Sequence, residues 1–310
     1  MRYTLFISLF LFVTIGITAQ DLAPFEVTQE WKDKIAQLAP SEPGIKGVKK
    51  KKLLVFSKAT GFYHWVIPHN VAMLKILAQK SNAFEIHIGY DIGNFEKKRL
   101  KEFDAIILNN PNPRSPDRNL FQDLLQDNTS LNKQQIAIAA TKYEKNLMDY
   151  VSKGGGLMIL HGGIVVQNNS LAFSKMTGGS FDYHPQQQQM NLKEVDARHR
   201  LVQAFDGKGF THIDEPYIFK NAYFDYNFRP LLYVETDKIM GLRKALDYKR
   251  NYVSWIKRYG KGRVFYTATS HNAQSLENAS LLQFILDGMQ YVVGDLKCDD
   301  SPMPGIGAKR

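Results

Sequence analysis

The sequence predicts an α/β protein built on a doubly wound, mainly parallel sheet, with an irregular, β-rich second half. Two observations carry that prediction. Between residues 52 and 160, short apolar runs such as Leu53–Ser57, Asp104–Asn110 and Leu157–Leu160 alternate with helical patterns. This is the rhythm of parallel strands covered by helices on both faces. Several of these runs are continuously apolar rather than alternating, as strands buried on both faces must be.

The elements follow in order. Residues 21–50 form a polar lead-in with Pro24, Pro40 and Pro43 around a short helix near Thr28–Leu38. Leu53–Ser57 is the first strand. Ile67–Ser81 is a helix with Pro68 in its first turn and Val71, Leu74, Leu77 and Ala78 at helical spacing. Phe84–Tyr90 alternates as a second strand, Phe95–Phe103 is a short helix, and Asp104–Asn110 is a third strand. A polar loop with Pro111, Pro113 and Pro116 precedes a helix over Lys133–Ser152, closed by Gly154. Leu157–Leu160, between glycines, is the fourth strand and ends on His161. In the second half, Gln187–Val195 and Leu231–Thr236 read as strands. Tyr252–Ser270 reads as a hairpin turning at Gly260-Lys261-Gly262, and Ser280–Gly294 as a closing apolar helix. No internal repeat and no dividing linker is evident. The expected organisation is a signal peptide over 1–19, a lead-in over 20–51, one α/β domain over 52–296 and a tail over 297–310.

Composition and charge narrow the setting. Arg2, the apolar run Leu5–Ile17 and the small-residue exit Ile17-Thr18-Ala19 have the three-part pattern of a secretory signal peptide. The expected location is therefore periplasmic or secreted. The run falls short of the roughly 20 residues of a membrane span, so no stable membrane insertion is expected after cleavage. The single cysteine, Cys298, sits in a polar tail and permits no intramolecular disulfide, so the fold must rest on a core drawn from 44% apolar residues. The formal net charge is +10, concentrated in part at Lys46 and Lys49–Lys52. That run reads as a solvated guard of the first strand. No nucleic-acid motif is present, and no nucleic-acid partner is expected.

Candidate chemistry gathers at strand exits, because ligands of parallel α/β sheets bind beyond the carboxyl ends of the strands. His64 lies in a glycine-containing loop after the first strand, Asn109 and Asn110 end the third, and His161 ends the fourth. His184 lies in "GGSFDYHP" and His271 follows the last strand. Imidazole suits acid–base work near neutral pH and is a common metal ligand. His69, His87, His199 and His212 lack such placement and read as structural. Asp214 and Glu215 are adjacent before Pro216, which keeps the chain extended, so only one of the two faces a pocket. No G-x-S-x-G, H-E-x-x-H or paired-cysteine site occurs. The glycines 154–156 precede a strand instead of opening a helix, so they form no phosphate loop.

Taken together, "LVFSKATGFYHWVIP", "YVSKGGGLMILHGG", "GGSFDYHP", "DEPYIF" and "SWIKRYGKGRVFYTATSH" resemble the ThuA-like (trehalose-utilisation) family over Lys52–Gly294. The resemblance implies a flavodoxin-like, class I glutamine amidotransferase-like fold. In amidotransferases of that fold a nucleophilic cysteine follows the fourth strand. His161 occupies the corresponding position here, which argues against amidotransfer. The family's recurrent polar residues carry over as His64, His161, His184, Glu215 and His271. Tyr63 stands where the family often has arginine, Gly162-Gly163 where it has two alanines, and Ser270 where it has glycine.

The resemblance implies a small-molecule carbohydrate as ligand, a glycoside or keto-sugar. His161 and Glu215 are the expected acid–base pair for elimination, isomerisation or hydrolysis. His64, His184, His271, Tyr63 and Tyr183 are expected to bind substrate, with Trp65 a further aromatic that could stack on a sugar. His64, His161, Glu215 and His271 also form a candidate site for a divalent metal (zinc, iron, nickel or manganese). The competing reading is a non-catalytic carbohydrate-binding module that assists a partner enzyme. The sequence is equally compatible with a monomer or a homo-oligomer.

Overall fold

The computed structural model describes residues 22–127 and 130–303. The expected signal peptide over residues 1–19 lies outside the described residues, as do the last residues of the tail. The continuous apolar runs form the central strands. β1 (Lys51–Phe56), β2 (Phe84–Gly89), β3 (Ala105–Asn109) and β4 (Gly156–Leu160) lie parallel, and every residue of β3 and β4 is buried. The second half adds β5 (Ser180–Tyr183), β6 (Gln188–Glu194), β7 (Phe210–Asp214), β8 (Ile218–Lys220), β9 (Arg229–Glu235), β10 (Arg250–Tyr259) and β11 (Gly262–Thr267). The main sheet has nine strands in the order β2-β1-β3-β4-β11-β10-β9-β6-β7, and β5 pairs with β8 apart from it. It is parallel from β2 to β11 and antiparallel beyond. The hairpin β10–β11 joins the two halves, since β11 runs antiparallel to β10 and parallel to β4.

Helices cover the sheet. α1 (Gln29–Leu38) starts on a Thr28 cap and packs on α2 (Ile67–Ser81), burying Trp31 and Ile35 in the same core as β1. The lead-in is thus packed into the domain, and Gln290 fixes it further by bonding both backbone groups of Ile45. The short α3 (Lys97–Leu100) precedes β3. α4 (Leu120–Gln126) lies where a polar loop was expected. Asn119 caps it, and Leu120, Phe121, Leu124 and Leu125 bury one face, a pattern overshadowed by the three prolines before it. α5 (Lys133–Ser152) matches the expected span and carries an Asn132–Gln135 capping box. α6 (Leu171–Thr177) and α7 (Ala279–Val292) complete the set. Among the described residues no helix is long and apolar enough to cross a membrane.

The glycine triplet before β4 has a packing cause. Gly154 turns the chain out of α5 at φ +121°, and a Cβ on Gly156 would lie 2.4 Å from the Val292 carbonyl oxygen. The triplet lets α7 press against the base of β4.

Candidate active site

The register of the sheet explains why the histidines meet. Phe56 pairs with Leu108, Asn109 with Leu160, and Leu160 with Thr267. The next residues, Ser57, Asn110, His161 and Ala268, therefore leave the sheet along one edge. Asn109 ties that edge together. Its amide donates to Ser57 Oγ (3.0 Å) and to the Ile67 carbonyl (3.1 Å), and its Oδ1 accepts from Asn70 (2.9 Å). These bonds link the ends of β1 and β3 to the start of α2. The intervening loop carries His64.

His161 takes the turn out of β4 in the left-handed region, at φ 41°. A non-glycine residue there costs of order 1–3 kcal/mol and persists only where its surroundings enforce it. The surroundings are close. A Cβ on Gly162 would stand 2.8 Å from Asn112 Oδ1 and 2.9 Å from His64 Cε1, and one on Gly163 would stand 2.6 Å from the Leu108 carbonyl oxygen. Gly162 N–H donates to Asn110 Oδ1 at 2.7 Å. The two glycines admit neighbouring protein groups rather than a ligand.

The fully buried His161 ring donates from Nδ1 to the Ala268 carbonyl (2.9 Å). That fixes the tautomer in which Nε2 carries a lone pair. Nε2 lies 3.2 Å from Glu215 Oε2 and 3.1 Å from His271 Nδ1, and those two atoms are 3.2 Å apart. A second chain of bonds sets the His271 proton. Asn272 Nδ2 donates to the Ile213 carbonyl (2.9 Å) and to Gln187 Oε1 (2.8 Å), so the Gln187 amide nitrogen faces His271 Nε2 at 3.1 Å. His271 Nε2 is thereby the acceptor and Nδ1 bears the hydrogen. One proton sits inside a triangle of two imidazoles and a carboxylate.

Electrostatics agree with that count. Burial pushes the His161 imidazole down to about 4 and holds His64 well below its usual range, with the neighbouring imidazoles adding to the effect on His64. Burial works to raise Glu215, but its contacts with His161 and His271, the latter the hydrogen donor, prevail and hold it far below the ordinary carboxylate range. Near neutral pH Glu215 is ionised and His161 and His64 are neutral.

The Asp214–Glu215 pair divides as an extended chain requires. Glu215 faces the histidines, while Asp214 turns into the protein and accepts from the Glu215 N–H at 2.7 Å. Burial raises Asp214 to about 8. Its Oδ2 lies 3.3 Å from Nδ1 of His212, which burial lowers to about 3. His212 thus supports the site from behind, although its position gave no hint of a strand exit. The signal was available in the alternation Phe210-x-His212-x-Asp214, which puts three side chains on one face of β7.

A cavity of about 320 Å³ opens over the triangle, lined among others by Phe62, His64, Arg118, His184, Glu215 and Tyr217. His184 is half-exposed, with Nε2 3.6 Å from Glu215 Oε1, and its ring stacks on Tyr217 at 5.7 Å. Another cavity, of about 400 Å³, lies at the opposite end of β3 and β4 and is lined by Lys97, Lys101, Tyr150 and Lys153. No histidine lines it, and the histidine cluster lies at the smaller cavity.

A family model for ThuA, described as trehalose utilisation, matches residues 52–292. The chain belongs to the ThuA family. Two solved ThuA-like proteins share its fold. One, from Bacteroides uniformis ATCC 8492, is 15% identical with a TM-score of 0.59, over 80% of this chain and 94% of that one. The other, from Parabacteroides merdae ATCC 43184, is 15% identical with a TM-score of 0.54, over 82% and 98%. No curated protein matches.

Within this ThuA-family chain, His64, His161, Glu215 and His271 converge, each offering a ligand atom within 4.8 Å of the others. His184 stands on the cavity wall beside them. The aromatic candidates are placed differently. Tyr63 is exposed, Tyr183 is buried with Arg243 over its ring at 4.2 Å, and neither lines the cavity. Trp65 packs on Phe25 and His69. Tyr217 and Phe62 supply the aromatic walls instead. Tyr217 was legible as the same-face neighbour of Glu215, two residues on.

The residues fit a divalent metal. Ligand atoms bound at about 2.0–2.2 Å stand roughly 3.3–3.6 Å apart in a tetrahedron and roughly 2.8–3.1 Å apart in an octahedron, and the triangle, with sides of 3.1, 3.2 and 3.2 Å, lies between the two. His161 Nε2 already presents its lone pair. His64 Nδ1 is buried without a hydrogen-bond partner among the described residues.

Proposed function

We propose that this protein is an exported, sugar-processing enzyme that applies acid–base chemistry to a glycoside or keto-sugar. The carrying observation is Glu215, an ionised carboxylate on a cavity wall, backed by two imidazoles with one proton between them. The family description, trehalose utilisation, supports a sugar as substrate. Export rests on the three-part pattern of residues 1–19.

In a keto-sugar the carbonyl acidifies the neighbouring C–H bond. Glu215 Oε1, the oxygen turned away from His161 and His271, takes that proton, and the C–H electron pair forms the enolate. When the enolate collapses, the bond from the next carbon to the glycosidic oxygen breaks, and Glu215 returns its proton to the departing oxygen. His161 and His271 stabilise the carboxylate between turnovers. His64 and His184 orient the sugar. His161 Nε2, His271 Nδ1 and Glu215 Oε2 would hold a divalent metal, with His64 nearby. Such an ion polarises a carbonyl or activates a water.

The test is to incubate purified protein with a panel of 3-keto-glycosides and their parent disaccharides in D₂O, with and without zinc or manganese, and follow the products by NMR. Cleavage, or deuterium entering beside the keto group, is the expected result. An unchanged panel under every condition overturns the enzyme reading. Glu215→Gln should cut turnover by about 10²–10⁴-fold, whereas a binding module would lose only affinity.

A further inference from the structure

Among the described residues lining the cavity, Arg118 is the one guanidinium or ammonium group. Its backbone takes a left-handed turn at φ 47°, held by Arg118 N–H donating to the Arg114 carbonyl (2.8 Å) and by Asn168 N–H donating to the Arg118 carbonyl (3.2 Å). Its guanidinium carbon lies over the Phe181 ring, 5.0 Å from the ring centre. A cation–π contact of this kind is an attraction of charge to the ring and does not by itself occupy the guanidinium N–H donors. Among the described residues those donors meet no carboxylate within ion-pairing distance and no hydrogen-bond acceptor. Arg114, on the same loop, shows the contrast, since its guanidinium is satisfied by both oxygens of Asp127 at 2.7 and 2.8 Å. The cavity's own carboxylate, Glu215, is engaged by His161 and His271.

A pre-positioned guanidinium with unused donors at the wall of a cavity is a recognition element for a planar or tetrahedral anion. We propose that the substrate is an acidic sugar, whose carboxylate, sulfate or phosphate substituent is held by Arg118 while Glu215 faces the sugar ring. Ser115 and Asn112 line the same cavity. This inference rests on the sugar-processing reading of the same cavity. It adds the charge of the substrate, which that reading leaves open.

The experiment is a binding titration of the full-length mature protein with glucose, glucuronate, glucose 6-sulfate and glucose 6-phosphate, in wild type and in Arg118→Gln and Arg118→Lys. Thermal melts confirm that each variant folds. At least one acidic sugar should bind wild type roughly tenfold to a hundredfold more tightly than glucose, the range for a hydrogen bond to a charged group. Arg118→Gln should erase that preference, Arg118→Lys should retain part of it, and added salt should weaken it. The acidic sugar that gains most identifies the substituent. Equal binding of glucose and all three acids, or a preference that survives Arg118→Gln, overturns the acidic-sugar inference and leaves the sugar reading standing. Absence of binding to any member, charged or neutral, overturns both.

Discussion

Asp214 gives the sharpest quantitative test of the site's interior. It is a buried carboxyl raised by desolvation to about 8, against an ordinary value of 3.8. Between those values the folded protein holds a proton that the unfolded chain releases, so this group's contribution to stability falls as pH rises. The buried imidazoles act in the opposite sense and on the acid side. His161 and His212, lowered to about 4 and about 3, are neutral when folded but take up protons when unfolded below 6.5. Asp287, raised to about 6, has largely finished titrating by pH 6.5. From about pH 6.5 to 8 Asp214 works against the tail of the histidine titrations, which wild type and an Asp214 variant share. One proton over about 1.5 pH units amounts to about 2 kcal/mol, or roughly 3 °C in melting temperature for a domain of this size. Asp214→Asn is a neutral isostere of the protonated acid and keeps an acceptor for the Glu215 N–H. Lys257, lowered to about 8, opposes the trend at the top of the window but is common to both proteins. In metal-free buffer, melting curves of the two should separate with pH, wild type losing about 2 kcal/mol more than the variant between pH 6.5 and 8. Parallel losses would refute a protonated Asp214.

Gly162→Ala places a methyl group 2.8–3.0 Å from Asn112 Oδ1, His64 Cε1 and Asn110 Oδ1. It should cost about 1–3 kcal/mol by denaturant unfolding and lower activity by displacing His64. Zinc binding should release little or no net proton near pH 7, because His64 and His161 are already neutral, Glu215 is already ionised, and the hydrogen displaced from His271 Nδ1 passes to its Nε2. Calorimetry in buffers of different ionisation enthalpy measures that number, and Glu215→Gln should weaken the binding strongly.

The legible part of the fold was the part where burial on both faces leaves no choice of residue. β3 and β4 are wholly buried and α5 spans the residues its periodicity marks. β5, β7, β8 and α6 escaped because they are short and their patterns are interrupted. β7 reads Phe-Thr-His-Ile-Asp, and its polar inward positions look like loop until His212 and Asp214 are seen to face each other. At the site, His64, His161 and His271 were legible because strand exits share an edge. Arg118 was not. It follows three prolines in a loop, and its approach to the cavity depends on a left-handed turn and a ring contact with Phe181, some 60 residues along the chain, which no local pattern encodes.

A histidine at the end of β4 meets a cavity differently from a short side chain on the same turn. A short thiol on such a turn sits at the end of the strand and meets the substrate directly. The His161 ring is committed on both sides, Nδ1 to the Ala268 carbonyl and Nε2 to the triangle with His271 and Glu215, and it has no exposed surface. The strained turn at φ 41° therefore serves to aim an imidazole at a carboxylate. That carboxylate belongs to the link between β7 and β8, in the antiparallel half of the sheet. The group that meets the cavity is thus Glu215 on its wall, not the residue at the strand exit. The parallel half supplies the support that keeps Glu215 ionised. Asp214, next in the chain and turned inward, stays protonated because burial outweighs the hydrogen bonds and charges around it. Two adjacent carboxyl groups are thus held in opposite protonation states, and only the ionised one faces the cavity.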